Sequence, residues 1–150
     1  MTKPLYILNG PNLNRLGTRE PAIYGSTTLA QIEAMCREAA GTQPIEFRQT
    51  NSEATLIEWI HEAIDNGCGI VINPAAYSFT SIAILDALKM FPGPIVELHI
   101  SNIHRREDIY QRSLVSKVAT AVIAGLGARG YGIAVRAIGE LIADPSSLRS

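Results

Sequence analysis

The chain has 150 residues, 47% hydrophobic and 18% charged, with a formal net charge of −1. That is the size and composition of one globular domain, expected to span 1–150, and the near-neutral balance argues against nucleic acid or an anionic membrane surface as partner. No apolar run approaches the roughly 18 residues of a membrane span, and the opening "MTKPLYILNG" carries no signal-peptide cleavage site, so a cytoplasmic protein is expected.

"LYILN" (5–9) reads as the first strand, followed by a long polar stretch through Gly25. "TTLAQIEAMCREAAG" reads as a helix: Thr28 and Gln31 have capping-box spacing, and Leu29, Ile32, Met35, Cys36 and Ala39 share one face. "IEFRQ" (45–49) is the second strand. The next helix runs from about Glu53 to Asn66, carrying apolar Leu56, Ile57, Ile60, Ala63 and Ile64, with Gly67 able to close it. "GIVINP" (69–74) is almost wholly apolar, which marks a central strand. A helix from about Ser81 to Lys89 follows, then the strand "PIVELHI" (94–100), the strand "VATAVIAG" (118–125) and the helix "GYGIAVRAIGELIA"; the tail "DPSSLRS" is expected to be loose. Strands alternating with helices make an α/β domain with a parallel sheet covered on both faces. Five strands point to the flavodoxin-like, doubly wound order 2-1-3-4-5. Cys36 and Cys68 form no C-x-x-C pair and are expected to be free thiols in a reducing compartment. The three histidines show no ligand spacing, so no metal is expected.

In such folds ligands bind beyond the carboxyl ends of the strands, where strand order reverses. The loops "NGPNLNRLGTREPAIYG", "NPAAYSFTS" and "HISNIHRRE" follow the first, third and fourth strands, and all three are polar. Their convergence on one edge favours a site there. Glu97 and His99, two residues apart on the fourth strand, point to the same face. They are either a catalytic pair or a histidine satisfied inside a core. "GLGARG" (125–130) spells G-x-G-x-x-G but follows the last strand, with no later strand to complete a dinucleotide site. It is read as a tight turn with close helix–strand packing. His61 is expected at the surface, Trp59 in the core or a contact, and His104 in structural hydrogen bonding; Arg105 and Arg106 are read as a solvated pair or a subunit contact.

"LNGPNLNRLGTREPAIYG", "INPAAYSFTSIAILDAL", "VELHISNIHRRE" and "VIAGLGARGYGIAV" resemble the type II 3-dehydroquinate dehydratases over essentially the whole chain. The resemblance implies abstraction of a proton alpha to a ketone, an enolate, and expulsion of water to give 3-dehydroshikimate, without a cofactor. It implies Tyr24 as proton acceptor with Arg19 as the essential arginine, His99 as proton donor with Glu97 orienting it, and Asn12 positioning a water at the enolate oxygen. Asn73 and the backbone at Ile100 and Ser101 are implied as substrate contacts, and Asp86 as an acid reaching a neighbouring subunit's site. Trimers assembled into a dodecamer are implied as well. The chemistry fits these residue types. Making tyrosinate at neutral pH costs roughly 4 kcal/mol, and a nearby guanidinium lowers that cost. Histidine ordinarily titrates near pH 6.5, which suits a proton donor to a leaving hydroxyl.

Two positions depart from the family pattern. Phe79 stands where a histidine is usual, and Tyr110 where an arginine is usual. Losing a buried hydrogen-bond partner costs about 1–3 kcal/mol, so two losses would weaken recognition by roughly ten- to ten-thousand-fold. Three readings are open at this point. The first is an ordinary 3-dehydroquinate dehydratase. The second is a divergent paralogue that dehydrates a related cyclic hydroxy-ketone or is largely inactive on dehydroquinate, and the third is a non-catalytic binding or assembly protein of the same fold.

Overall fold

The computed structural model describes residues 2–18 and 20–148. Its strands are β1 (Leu5–Asn9), β2 (Ile45–Gln49), β3 (Gly69–Asn73), β4 (Ile95–His99) and β5 (Ala121–Ala124). They form one parallel sheet in the order β2-β1-β3-β4-β5, the doubly wound arrangement expected. The helices are α1 (Pro21–Tyr24), α2 (Leu29–Ala40), α3 (Glu53–Asn66), α4 (Ile82–Lys89) and α5 (Gly130–Ala143).

Alternation of side chains along each strand divides the core in two. Leu5, Ile7, Val71, Val96 and Leu98 pack with Ile32 and Cys36 of α2 and with Tyr131, Ala134 and Ile138 of α5. On the opposite face Tyr6, Leu8, Ile70, Ile72 and Ile95 pack with Leu56, Ile60 and Ala63 of α3 and Ile84 and Leu88 of α4. Every residue of β3 is buried, as its apolar run requires at the centre of a two-faced sheet.

Local capping sets the helix starts. The Thr28 N–H donates to Gln31 Oε1 (2.9 Å) and the Gln31 N–H to Thr28 Oγ1 (3.2 Å), the reciprocal pair read from the sequence. Ser52 and Ser81 accept from the N–H groups of Thr55 and Ile84 at the starts of α3 and α4. Gly67 ends α3 from extended backbone, φ −99°, rather than a left-handed turn. It is glycine for room: a Cβ there would stand 2.8 Å from the Tyr6 ring.

Some boundaries differ from expectation. Of the segment 118–125 only Ala121–Ala124 is strand, because Val115–Lys117 form a 3-10 turn whose Val115 carbonyl takes the N–H groups of Val118 and Ala119, both at 3.0 Å. The polar stretch after β1 contains a 3-10 turn at Leu13–Arg15 and the short α1, and Pro145–Leu148 of the tail form another 3-10 turn. Cys36 and Cys68 are unpaired, and burial pushes the Cys36 thiol up to about 12. Among the described residues no helix is long and apolar enough to cross a membrane.

Candidate active site

The strand register lines up polar groups at the carboxyl edge. Asn9 stands between Gln49 and Asn73, and β4 ends at His99, opposite Ala124. Beyond that edge the chain leaving β1 runs hard against the chain leaving β3. The Gly10 N–H donates to the Asn73 carbonyl (2.8 Å), and a Cβ on Gly10 would lie 2.4 Å from the Pro74 carbonyl oxygen. Only glycine allows this approach. A cleft of about 100 Å³ opens above it, with Asn12, Asn73, Phe79, His99, Ile100, Ser101, Arg106 and Tyr110 among its walls. The three polar loops do converge.

Glu97 and His99 lie side by side, as their spacing requires. The His99 Nε2 is 2.5 Å from Glu97 Oε2, with Glu97 fully buried and His99 5% exposed at the cleft wall. Burial by itself would raise the Glu97 carboxyl. Hydrogen bonding to His99, with the nearby hydroxyls of Ser113 and Ser116, outweighs burial and holds the carboxyl below its ordinary value. An ionised acceptor makes Nε2 the protonated ring nitrogen and leaves Nδ1 for a substrate. His99 is therefore tied into the core on one side and available on the other.

The lowered Glu97 carboxyl has a consequence for stability. The unfolded chain binds a proton here at a higher pH than the folded one, so Glu97 contributes stability above its unfolded value and loses it as pH falls through its folded value. In urea unfolding followed from about pH 5 down to about pH 3, Glu97→Gln is expected to flatten the acid loss of stability relative to wild type. Parallel curves for the two proteins would contradict this.

Asn73 is held from below. Its Oδ1 accepts the Ala75 N–H (3.2 Å) and its Nδ2 donates to the Tyr131 hydroxyl (2.9 Å), which donates to Asn9 Oδ1 (2.7 Å). Asn12 enters the cleft from a left-handed backbone, φ 71°, pinned by its N–H donating to Asn51 Oδ1 (2.9 Å). Asp86 is not brought to the cleft: it is exposed on α4, 3.7 Å from the Lys89 ammonium. Arg19 lies outside the described residues, and so does the side chain of Tyr24.

Phe79 and Tyr110, the two departures from the family pattern read in the sequence, both line the cleft. Their rings meet edge to face at 5.6 Å, Phe79 also stacks on the His99 ring at 6.1 Å and 26°, and the Arg106 guanidinium sits 4.1 Å from the Tyr110 ring centre. Arg106, read from the sequence as a solvated or subunit contact, thus belongs to the cleft wall. Tyr131 was missed altogether, and its position at the start of α5 carries no sequence signal for a role beneath the site. "GLGARG" is the tight turn expected, with Gly125 and Gly127 at φ +92° and +70°, and Gly130 so close to β4 that a Cβ would lie 3.0 Å from Leu98 Cδ1. Trp59 is half-buried with the Arg48 guanidinium 5.6 Å from its ring centre, and His61 and His104 are exposed. Among the described residues no group of three His, Cys, Asp or Glu could hold a metal ion.

The Dehydroquinase class II family matches residues 3–139. The 3-dehydroquinate dehydratase of Streptomyces coelicolor is 57% identical over 141 residues, covering 92% of this chain and 90% of its own. That of Cereibacter sphaeroides is 55% identical over 145 residues, covering 95% and 99%. The crystal structure of type II dehydroquinase from Propionibacterium acnes superposes with a TM-score of 0.88 at 46% identity, over 96% of this chain and 99% of that one. With the family matched over residues 3–139 and identity at this level along nearly its whole length, the chain belongs to the class II dehydroquinase family.

Proposed function

We propose that this protein is a 3-dehydroquinate dehydratase, removing water from 3-dehydroquinate through an enolate to give 3-dehydroshikimate. The observation that carries the reading is the buried Glu97–His99 pair presented at the wall of a cleft that Asn12 and Asn73 also line. Relatives at 50–57% identity bear the name 3-dehydroquinate dehydratase, which leaves no support for a divergent or non-catalytic protein.

In this reading Tyr24, as tyrosinate stabilised by Arg19, takes the proton alpha to the ketone. Asn12 holds a water against the enolate oxygen. The enolate then re-forms the ketone with a new carbon–carbon double bond, and the departing hydroxyl takes a proton from His99 and leaves as water from the face opposite the removed proton. Glu97 keeps the His99 ring oriented. Asn73 and the backbone at Ile100 and Ser101 hold the substrate. No cofactor enters, because the ketone acidifies the proton that is removed.

Asp86 is assigned to a neighbouring copy's site in trimers that assemble into a dodecamer. Ile82 and Met90 support that assignment: with Asp86 between them at four-residue steps they form one exposed stripe, 64% and 55% exposed at the two apolar positions. The enzyme would act in the cytoplasm, in aromatic amino acid biosynthesis or quinate breakdown. The test is the ultraviolet absorbance of the enone formed from 3-dehydroquinate. Turnover at an enzyme-like rate, about 1 per second or faster, is expected; a folded protein giving no enone would refute the reading.

A further inference from the structure

The two oxygens of the Glu97 carboxylate have different partners. Oε2 meets His99 Nε2, while Oε1 accepts from the hydroxyl of Ser116, each at 2.5 Å. Ser116 sits in the 3-10 turn Val115–Lys117, exposed itself but fastened by Val115, which is wholly buried in the core on the α3 and α4 face. Ser113, on the approach to that turn, carries a buried hydroxyl without a well-formed hydrogen bond, near enough to the same carboxylate to help keep it ionised. From the flanking strands Ile72 and Val122 stand opposite Glu97. Among the described residues, then, His99 is the one titratable group acting on this carboxylate, and its other partners are hydroxyls.

A buried carboxylate with one oxygen unsatisfied gains by taking a proton. A protonated Glu97 would donate to Nε2 instead of accepting from it. The ring is then a neutral imidazole with its single proton on Nδ1, a far weaker acid toward a leaving hydroxyl than an imidazolium backed by a carboxylate. We propose that Ser116 is a positioning residue: its hydroxyl occupies the outer oxygen of Glu97, so that the inner oxygen is always presented to His99 as an acceptor. Ser113 supplies a second hydroxyl that can turn to the same oxygen. Ser116 acts through Glu97 and does not touch substrate. Its catalytic consequence rests on the dehydratase reading, whereas its effect on Glu97 is measurable with no substrate present.

The test compares wild type with Ser116→Ala, Ser116→Thr and the double variant Ser113→Ala/Ser116→Ala. In carbon NMR of protein labelled at the glutamate side-chain carboxyls, the Glu97 titration is expected to move up by about one pH unit in Ser116→Ala. It should move further in the double variant and return in Ser116→Thr, which keeps the hydroxyl. For 3-dehydroquinate turnover, Ser116→Ala is expected to lower kcat about tenfold while KM stays within about twofold, with Thr restoring kcat. A Glu97 titration that does not move overturns the proposal. So does a fall in kcat without that movement, or a loss that Thr fails to recover, since either describes a turn that has merely loosened. A wild-type protein that shows the Glu97 behaviour but makes no enone refutes the dehydratase reading alone.

Discussion

His99→Ala is expected to lower kcat by about a thousandfold, within the range that a positioned proton donor supplies. On the proposed mechanism the leaving hydroxyl then departs without its proton donor, and among the described residues lining the cleft His99 is the one histidine. His99 is the cleft histidine, and its ring is set by the Glu97 contact on one side and by Phe79 stacked on the other. The substrate contacts proposed at Asn73 and the backbone of Ile100 and Ser101 are untouched by the change, so KM should move far less than kcat. Far-ultraviolet circular dichroism and an unchanged elution volume establish that the variant is folded. A kcat within about tenfold of wild type would remove His99 from the donor's role. Tyr24→Phe is expected to lose turnover as completely, because phenylalanine cannot accept the proton; substantial residual turnover would overturn Tyr24 as the base.

Tyr131→Phe is expected to lower the melting temperature by roughly 5–15 °C and to raise KM. The substitution removes one oxygen and no ring volume, so packing is nearly unchanged. What it removes is the link between two buried amides. Asn9 is fully buried and Asn73 4% exposed, and the Tyr131 hydroxyl donates to the first and accepts from the second. Burial pushes that hydroxyl's pKa up, so it remains protonated and able to donate at neutral pH. Without it Asn9 Oδ1 and one Asn73 N–H lose their partner away from water, each at about 1–3 kcal/mol. For a domain of this size one kcal/mol corresponds to about 2–4 °C in Tm. Freed from Tyr131, the Asn73 amide can turn in the cleft wall, which is why KM should respond together with stability. Calorimetry and steady-state kinetics on the same preparation check both. A Tm within about 1 °C of wild type would mean that water replaces the hydroxyl without loss.

The apolar periods of this chain were enough to place its sheet and helices. Period-two strands and period-3.6 helices follow from burying one face of each element, and the caps at Thr28, Ser52 and Ser81 depend on neighbours within three residues. The adjacency of Glu97 and His99 was legible for the same reason, because an extended strand alone puts them on one face. Strand order followed from the number of strands and the alternation of elements. The start of β5 did not follow: the backbone of 115–119 closes a 3-10 turn around buried Val115, and apolar residues serve such a turn as readily as a strand.

The rest was decided by tertiary contact. Tyr131 meets Asn9 across a separation of 122 residues, and Tyr77 donates to the Asn51 carbonyl across 26; no local pattern encodes either meeting. Arg106 is a cleft residue because the loop after β4 folds back and lays its guanidinium over Tyr110, whereas in sequence it is one of two adjacent arginines in a polar loop. Phe79, an apparent lost donor when read as a substitution, becomes part of an aromatic wall supporting His99 once neighbouring rings are in place. Local periodicity follows from what each residue does to its own backbone and to its nearest turn. The shape of the cleft depends on which distant surfaces the packed sheet forces together, and that is settled only when the whole core forms.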